Sequence, residues 1–158
     1  MRLRTAVAVL TLSLSTPLLA EEIKPFVRGT LADIVTQYQN KAFIVSYWSV
    51  DCPPCYKELS MWSGLTNQYP DLPVVLVSTD GMEAKAVVRT TRHTLGVAHL
   101  PSWLFAESAE RLRFEIDPQW YGELPRTYFY DSSGSRVGVS GLIKRQRVEQ
   151  WMRKNDVD

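Results

Sequence analysis

Two runs of apolar residues stand out along the chain, and each has the length of a strand. Residues 43–48 read Phe-Ile-Val-Ser-Tyr-Trp, and residues 74–79 begin with Val-Val-Leu-Val. Such continuous runs of β-branched and aromatic residues are typical of strands that are buried on both faces of a sheet. Because a predicted helix connects the two runs, we expect the strands to pair in parallel.

Helical spacing of apolar residues predicts the elements around these strands. A short amphipathic helix over residues 29–40 precedes the first strand, and a second helix begins after Cys52 and buries Leu59 and Trp62. Further helices are predicted over 83–95, 109–115 and 144–154. Further strands are predicted over 102–106 and 127–130, and the last of these forms a hairpin with a strand over 136–139.

The order of these elements predicts an α/β fold. After the first helix they follow the order β-α-β-α-β-α-β-β-α, which is typical of a mixed β-sheet flanked by helices. An αβ segment over 83–106 is inserted between the second core strand and the C-terminal hairpin. A chain of 158 residues is long enough for one domain with a real core and short for two.

The first twenty residues have the three zones of a secretory signal peptide. A basic start is followed by an apolar stretch over 6–14 and by a short polar end that finishes at Ala20. The alternative, a membrane anchor, needs about 20 unbroken apolar residues, and polar residues interrupt this stretch. We therefore predict a signal peptide over residues 1–20 and one domain over 21–158, with an uncleaved anchor as the alternative.

The charge balance argues against a nucleic-acid partner. The formal net charge of the whole chain is +1, and cleavage after residue 20 removes Arg2 and Arg4, which leaves −1. The one concentrated basic stretch, residues 144–147, falls in a predicted helix, where such a run is most often a solvated face.

Both cysteines lie in one motif, Cys52-Pro53-Pro54-Cys55, so no disulfide framework stabilises the fold. In an exported protein this points to reactive sulfur. The same spacing also serves zinc ribbons, haem attachment and structural disulfides. A zinc site would need further ligands, haem attachment would need His in place of Tyr56, and a structural disulfide would close too short a loop to stabilise much. A redox centre is the favoured interpretation.

The residues around the motif resemble thioredoxin. A strand ends in Tyr47-Trp48, three residues follow, and the motif then opens a helix. The residues after Cys55 and the αβ segment over 83–106 narrow the resemblance to the TlpA/ResA-like thioredoxins of bacterial envelopes. The resemblance covers most of residues 25–155 and implies a thioredoxin-like fold and a thiol:disulfide oxidoreductase.

A second segment, Leu124-Pro125-Arg126, resembles the cis-proline loop of this family. The resemblance implies that the bond before Pro125 is cis and that Pro125 faces the cysteines. It also places Leu124 and Arg126 among the residues that bind substrate. We expect an extended substrate segment to pair with the backbone at this loop.

The two cysteines are expected to have different roles. Cys52 is predicted at the exposed N-terminal end of the helix, where the macrodipole favours its thiolate as the attacking nucleophile. Cys55 is predicted on the inward face, from which it resolves the mixed disulfide. Pro53 and Pro54 stiffen the loop beside the substrate and remove two amides, so this centre need not be strongly oxidising.

Two neighbours of the motif also match the family. Glu58 matches an acidic residue that lies near the active site and tunes cysteine acidity, with an exposed helix carboxylate as the alternative. Trp48 matches the tryptophan that packs under the active-site loop, and we count it with the substrate-binding residues, although a plain core position is equally consistent.

The chain also departs from thioredoxin near the motif. Ser46 stands where thioredoxin has a buried aspartate that relays protons, so a relay must pass through Glu58, through water or through neither. Asp51 directly precedes Cys52, and its charge opposes the thiolate. Arg126 follows the predicted cis-proline, and we expect its charge to be able to offset that of Asp51.

These features predict a periplasmic thiol:disulfide oxidoreductase that acts on envelope proteins as a reductant. The expected electron donor is a membrane thiol transporter, and no cofactor or metal is expected beyond the redox-active disulfide. One alternative is a copper-handling or binding protein that uses both thiols as ligands for Cu(I), although the chain has no methionine-rich or histidine-rich stretch. Another is an adaptor that binds a partner through its tryptophans, most of which have the spacing of core residues.

Overall fold

The computed structural model describes residues 22–157. The predicted signal peptide over residues 1–20 lies outside these residues. Within residues 22–157, none of the helices combines the length and the apolar character that a membrane span requires.

The described residues form a six-stranded sheet in the order β1-β4-β3-β2-β5-β6. The strands are β1 (Ile23–Phe26), β2 (Phe43–Trp48), β3 (Val74–Ser78), β4 (Ser102–Phe105), β5 (Arg126–Tyr130) and β6 (Arg136–Ser140). Strands β1, β4, β3 and β2 are parallel, whereas β5 pairs antiparallel with β2 and with β6. The predicted mixed sheet and the parallel pairing of its two central strands are confirmed.

The helices lie where helical spacing predicted them. They are α1 (Thr30–Gln37), α2 (Pro53–Gln68), α3 (Lys85–Thr94), α4 (Ala109–Ile116) and α5 (Arg145–Lys154). Helix α1 is shorter than predicted, and Gly29 before it and Asn40 after it adopt positive φ angles of 88° and 64°. The segment that leads into α3 begins with a 3-10 turn over Met82–Ala84.

Strand β1 was not predicted from the sequence. Its two end residues, Ile23 and Phe26, are buried, while Lys24 and Pro25 between them are exposed, so the strand lacks the alternation that identifies a half-buried strand. Pro25 is tolerated because β1 is an edge strand, where a missing amide costs no internal pairing.

The two faces of the sheet carry separate apolar clusters. One contains residues of α2, α3 and α5, together with Ile44 and Trp48 of β2. The other contains residues of α1 and α4, together with Val45 and Tyr47 of β2. Because successive side chains of a strand point to opposite faces, β2 contributes to both clusters, and its end delivers the chain directly to the cysteine motif.

Candidate active site

A disulfide joins Cys52 and Cys55 at the N-terminal end of α2, with Cα atoms 5.3 Å apart. Cys52 is the last residue before the helix, and Pro53 and Pro54 occupy its first two positions. Both prolines are exposed. The motif therefore opens the helix as predicted, with prolines at positions whose amides would have no intrahelical partner.

The two cysteines differ in accessibility. Cys55 is fully buried, whereas Cys52 keeps 8% of its surface exposed. The inward position of Cys55 is confirmed. Cys52 is less exposed than predicted because it packs in the same apolar cluster as Cys55 and Trp48. An approaching group can reach only Cys52.

Trp48 ends β2 and is 1% exposed. Its side chain belongs to the apolar cluster that contains both cysteines, which agrees with packing under the active-site loop. Because the ring is covered, any effect of Trp48 on substrate binding would be exerted through the residues that pack on it.

Glu58 is a buried carboxylate at the centre of a hydrogen-bond network, and the alternative of an exposed helix carboxylate is wrong. Oε1 accepts hydrogen bonds from the hydroxyls of Ser46 at 3.0 Å and Thr127 at 2.8 Å. Oε2 accepts a hydrogen bond from the backbone N–H of Ile143 at 3.2 Å. Glu58 therefore ties α2 to β2, to β5 and to the segment that leads into α5.

Glu58 lies on the same face of α2 as the resolving cysteine, Cys55. It follows Cys55 by three residues on the buried face of α2, which is the spacing of neighbouring side chains on a helix. Burial raises the pKa of Glu58, and its hydrogen bonds with Thr127, Ile143, Ser46 and Trp62 oppose that rise without cancelling it. Glu58 can therefore exchange a proton closer to neutral pH than an ordinary glutamate.

The raised pKa of Glu58 predicts how its contribution to stability depends on pH. The unfolded state releases the proton near the ordinary value of 4.5, whereas the folded state keeps it to higher pH. The tighter binding of this proton stabilises the folded state. The stabilisation is complete below pH 4.5 and is lost as the pH rises through the pKa of Glu58 in the folded protein. We expect the free energy of unfolding of the wild type, relative to Glu58→Gln, to fall over this window.

Urea denaturation at a series of pH values would measure this difference. Glu110→Gln, which alters an exposed carboxylate on α4, is the matched control and should follow the wild type. A wild-type advantage over Glu58→Gln that grows as the pH rises would contradict the assignment.

The bond between Leu124 and Pro125 is cis, as the resemblance implied. Strand β5 begins at Arg126, which faces Tyr47 in the register with β2. Pro125 therefore lies beside the end of β2 that leads into the cysteine motif. Pro125 is buried, and its carbonyl oxygen accepts a hydrogen bond from the N–H of Gly141 at 2.8 Å. Leu124 packs against the apolar clusters of both faces.

The offset of the Asp51 charge by Arg126 stays a prediction, because the charge partners that the structure gives Arg126 are two other carboxylates. Its guanidinium donates to Asp117 at 2.9 Å and lies 3.8 Å from Glu123, so two other carboxylates neutralise it. The guanidinium also stacks on the Tyr128 ring, 4.7 Å from the ring centroid. The side chain is 14% exposed, which leaves little of its charge for a substrate.

A glycine on β6 makes room for this arginine. A Cβ atom at Gly138 would lie 2.6 Å from Nη2 of Arg126 and 2.7 Å from the Tyr128 ring. The guanidinium also donates to the hydroxyl of Ser140 at 2.6 Å. Arg126 thus links the start of β5 to β6 and to the segment before the cis-proline.

The exposure of the tryptophans bears on the adaptor alternative. The tryptophans do not form an exposed aromatic surface, since Trp48, Trp62, Trp103 and Trp120 are buried and Trp151 is half-buried.

The fold and the site together define a class of protein. A Cys-x-x-Cys disulfide opens the helix after a central strand, and a cis-proline precedes the antiparallel strand beside it. This is the architecture of the thioredoxin-like fold, and solved structures of that fold superpose on the chain.

Three solved structures show the likeness. A secreted disulfide oxidoreductase of Mycobacterium tuberculosis, homologous to Escherichia coli DsbE, is 14% identical with a TM-score of 0.60, covering 75% of this chain and 85% of that chain. A thiol:disulfide interchange protein of Chlorobium tepidum is 17% identical with a TM-score of 0.62, covering 77% and 83%. The exposed lipoprotein thioredoxin Etrx1 of Streptococcus pneumoniae is 19% identical with a TM-score of 0.58, covering 76% and 89%.

No protein-family model matches the chain, and no curated protein matches it in sequence. At identities below 20%, the structural likeness establishes the fold. The predicted thioredoxin-like fold is confirmed.

Proposed function

We propose that this protein is a thiol:disulfide oxidoreductase that exchanges disulfides with protein substrates and acts as a reductant. The observation that carries the proposal is the Cys52–Cys55 disulfide at the start of α2, in which one cysteine reaches the surface and the other is fully buried. The cis-proline at the neighbouring strand supports it, as does the likeness to solved disulfide oxidoreductases.

The first step of the reaction is attack by the thiolate of Cys52 on a substrate disulfide. A bond forms between the Cys52 sulfur and one substrate sulfur, and the other substrate sulfur leaves as a thiolate and takes up a proton. Helix-end electrostatics favour the thiolate of Cys52. Of the two cysteines, only Cys52 keeps exposed surface at which a substrate can approach.

The second step is attack by Cys55 on the sulfur of Cys52. The Cys52–Cys55 disulfide forms, the substrate leaves with its second thiol reduced, and two electrons have passed from the protein to the substrate. Cys55 must first lose its proton. Glu58, one helical turn away on the same buried face, is the carboxylate that we assign to accept it.

The helix start supports a reducing rather than an oxidising role. Pro53 and Pro54 carry no amide hydrogen, and the N–H of Cys55 donates to the carbonyl oxygen of Cys52 at 2.9 Å. The first turn therefore offers few free amides to a thiolate. A less stabilised thiolate favours the disulfide form, and a centre that prefers its disulfide gives electrons away.

The proposal extends to location and partners. The three-zone pattern of residues 1–20 supports export to the periplasm, where a TlpA/ResA-like protein would act on envelope proteins and receive electrons from a membrane thiol transporter. Two of the similar structures are a secreted protein and an exposed lipoprotein, which supports an extracytoplasmic setting.

The test of the proposed function is reduction of insulin by dithiothreitol, followed as turbidity. We expect the purified protein to shorten the lag before insulin precipitates, while the double variant Cys52→Ser/Cys55→Ser matches the uncatalysed reaction. Equal lags for the wild type and the double variant would reject the proposal. Retention of Cu(I) by the reduced wild type against excess glutathione would point instead to copper handling.

A further inference from the structure

The loop over residues 49–51, between β2 and Cys52, is held by the side chain of Asp80. Oδ1 of Asp80 accepts a hydrogen bond from the hydroxyl of Ser49 at 2.8 Å, and Oδ2 accepts one from the N–H of Val50 at 3.0 Å. The Ser49 oxygen in turn accepts a hydrogen bond from the N–H of Asp51 at 3.1 Å. Asp80 thus fixes the residues that lead into the nucleophile.

Asp80 is itself anchored to the sheet. It follows β3 by two residues, and its Oδ2 also accepts a hydrogen bond from the hydroxyl of Ser78 at 2.5 Å. The N–H of Asp80 donates back to the Ser78 oxygen at 3.1 Å, and Ser78 is fully buried. Thr79, which lies between Ser78 and Asp80, donates its N–H to the carbonyl oxygen of Trp48 at 2.9 Å. These hydrogen bonds therefore anchor the loop to the central strands of the sheet.

The restraint continues as far as the nucleophile. The N–H of Cys52 donates to the carbonyl oxygen of Ser49 at 3.2 Å, so the residue that Asp80 holds also orients Cys52. In the oxidised protein the disulfide adds a covalent restraint. Reduction removes that covalent restraint, and restraints of this kind are then left to the hydrogen bonds of the loop.

We propose that Asp80 is a positioning residue that sets the reduction potential of the Cys52–Cys55 pair by holding the loop over residues 49–51. The inference deepens the proposed function and rests on it. A loop fixed in the geometry of the disulfide raises the effective concentration of one thiol at the other. Asp80 therefore stabilises the disulfide relative to the dithiol and makes the centre more reducing.

Alanine at position 80 removes the acceptors on which this role depends. One carboxylate oxygen accepts from Ser49 and the other accepts from Val50 and Ser78. Asparagine would be a poor test, because its amide oxygen can accept from Val50 and Ser78 while the Ser49 hydroxyl rotates to accept from the NH₂ group. In Asp80→Ala the N–H of Val50 and the two hydroxyls lose this acceptor, and the loop loses its restraint to β3.

The experiment is equilibration of the folded protein with glutathione. The protein dithiol reacts with glutathione disulfide to give the Cys52–Cys55 disulfide and two glutathione thiols, so two electrons and two protons pass to glutathione. The oxidised fraction is measured after acid quenching and thiol alkylation. We expect Asp80→Ala to lower the equilibrium constant for disulfide formation about tenfold, which moves the potential about 30 mV less negative.

Two further variants separate positioning from general stability. Ser49→Ala removes the hydrogen bond to Asp80 and the one from the N–H of Asp51 without changing charge, and we expect a shift of about threefold in the same direction. Asp131→Ala is the matched control. Asp131 accepts hydrogen bonds from the N–H groups of Ser133 and Ser135 in the β5–β6 turn, at the end of the strands opposite to the cysteine motif, and its replacement should leave the constant unchanged.

The result that would overturn the proposal is an equilibrium constant in Asp80→Ala within twofold of the wild type, or an equal shift in Asp131→Ala. If Asp80→Ala does not fold, Ser49→Ala decides, and an unchanged constant in that variant rejects the proposal. The equilibrium requires no protein substrate. A wild type that forms its disulfide normally but fails to reduce insulin would reject the proposed function alone.

Discussion

Replacing Cys52 with serine is expected to abolish disulfide exchange, whereas replacing Cys55 is expected to stop the reaction halfway. The reason is the difference in access, since Cys55 is fully buried and Cys52 keeps an exposed edge. In Cys52→Ser a substrate disulfide has no thiolate within reach. In Cys55→Ser the attack proceeds, but nothing resolves the mixed disulfide.

Insulin reduction and non-reducing electrophoresis measure the two outcomes. The rate for Cys52→Ser should fall to the uncatalysed level, a loss of at least about 10³-fold for a missing nucleophile. Cys55→Ser should accumulate adducts that disappear on addition of dithiothreitol, and mass spectrometry should place every adduct on Cys52. The same variant, expressed in cells, would capture the natural protein substrates.

The double variant Cys52→Ser/Cys55→Ser is the control, because it should form no adducts. Full activity in Cys52→Ser would refute the assignment of the nucleophile. Adducts on Cys55 in the Cys52→Ser variant would show that the buried cysteine is accessible to substrate, and the proposed division of roles would then be wrong.

Glu58→Gln is expected to slow the resolving step by about 10²-fold, at the lower end of what a positioned general base contributes. Glu58 is buried on the same face of α2 as Cys55 and is the assigned acceptor of its proton. The amide of glutamine fills the same space but cannot take up the proton. The first attack, by Cys52, does not use Glu58 and should keep its rate.

The variant should remain folded because its new amide can be accommodated. The hydroxyls of Ser46 and Thr127 donate to Glu58 in the wild type, and a hydroxyl can rotate to accept a hydrogen bond instead. The amide oxygen can then accept from the N–H of Ile143. The same groups therefore stay hydrogen-bonded, with Ser46 and Thr127 accepting from the amide instead of donating to the carboxylate.

The pH dependence of resolution gives the sharper test. A mixed disulfide is formed on Cys52 with a small thiol, and its collapse is followed in a single turnover from acid to neutral pH. In the wild type the rate should rise as Glu58 loses its proton, which occurs above the ordinary range because burial raises its pKa. Glu58→Gln should lack this rise, and Glu110→Gln should retain it. An unchanged profile in Glu58→Gln would exclude the proposed role.

The apolar pattern predicted the fold well because a buried strand or helix requires apolar residues at a regular spacing within a short segment of the chain. The continuous runs at β2 and β3, the helical stripe of α2 and the hairpin of β5 and β6 each depend on residues close together in the chain. Strand β1 is the exception, since its pairing with β4 is long-range and its own four residues show no alternation.

The site could be predicted only as far as the motif and the resemblance extended. The cysteines and the cis-proline were predicted, and Glu58 was identified by its position after Cys55. The partners of Glu58 were not, because Thr127 is distant in sequence and Ile143 contributes a backbone N–H that any residue could offer.

Charged residues near the motif were the least predictable feature. Arg126 was expected to compensate Asp51 from its place after the cis-proline, but its guanidinium pairs with Asp117 and Glu123. Asp80 carried no signal beyond its place after a strand. Only the parallel pairing of β2 with β3 brings the two strand ends together and makes Asp80 a neighbour of the active-site loop.

The packing of Arg126 over Gly138 also constrains how this protein can diverge. A side chain at position 138 would collide with the guanidinium and with the Tyr128 ring, so a substitution there requires both side chains to shift or to be replaced. Loss of the arginine would in turn leave Asp117 and Glu123 without their cation. Among descendants of this sequence, positions 117, 123, 126, 128 and 138 should therefore change together, so that a side chain at position 138 is accompanied by altered charges near the cis-proline.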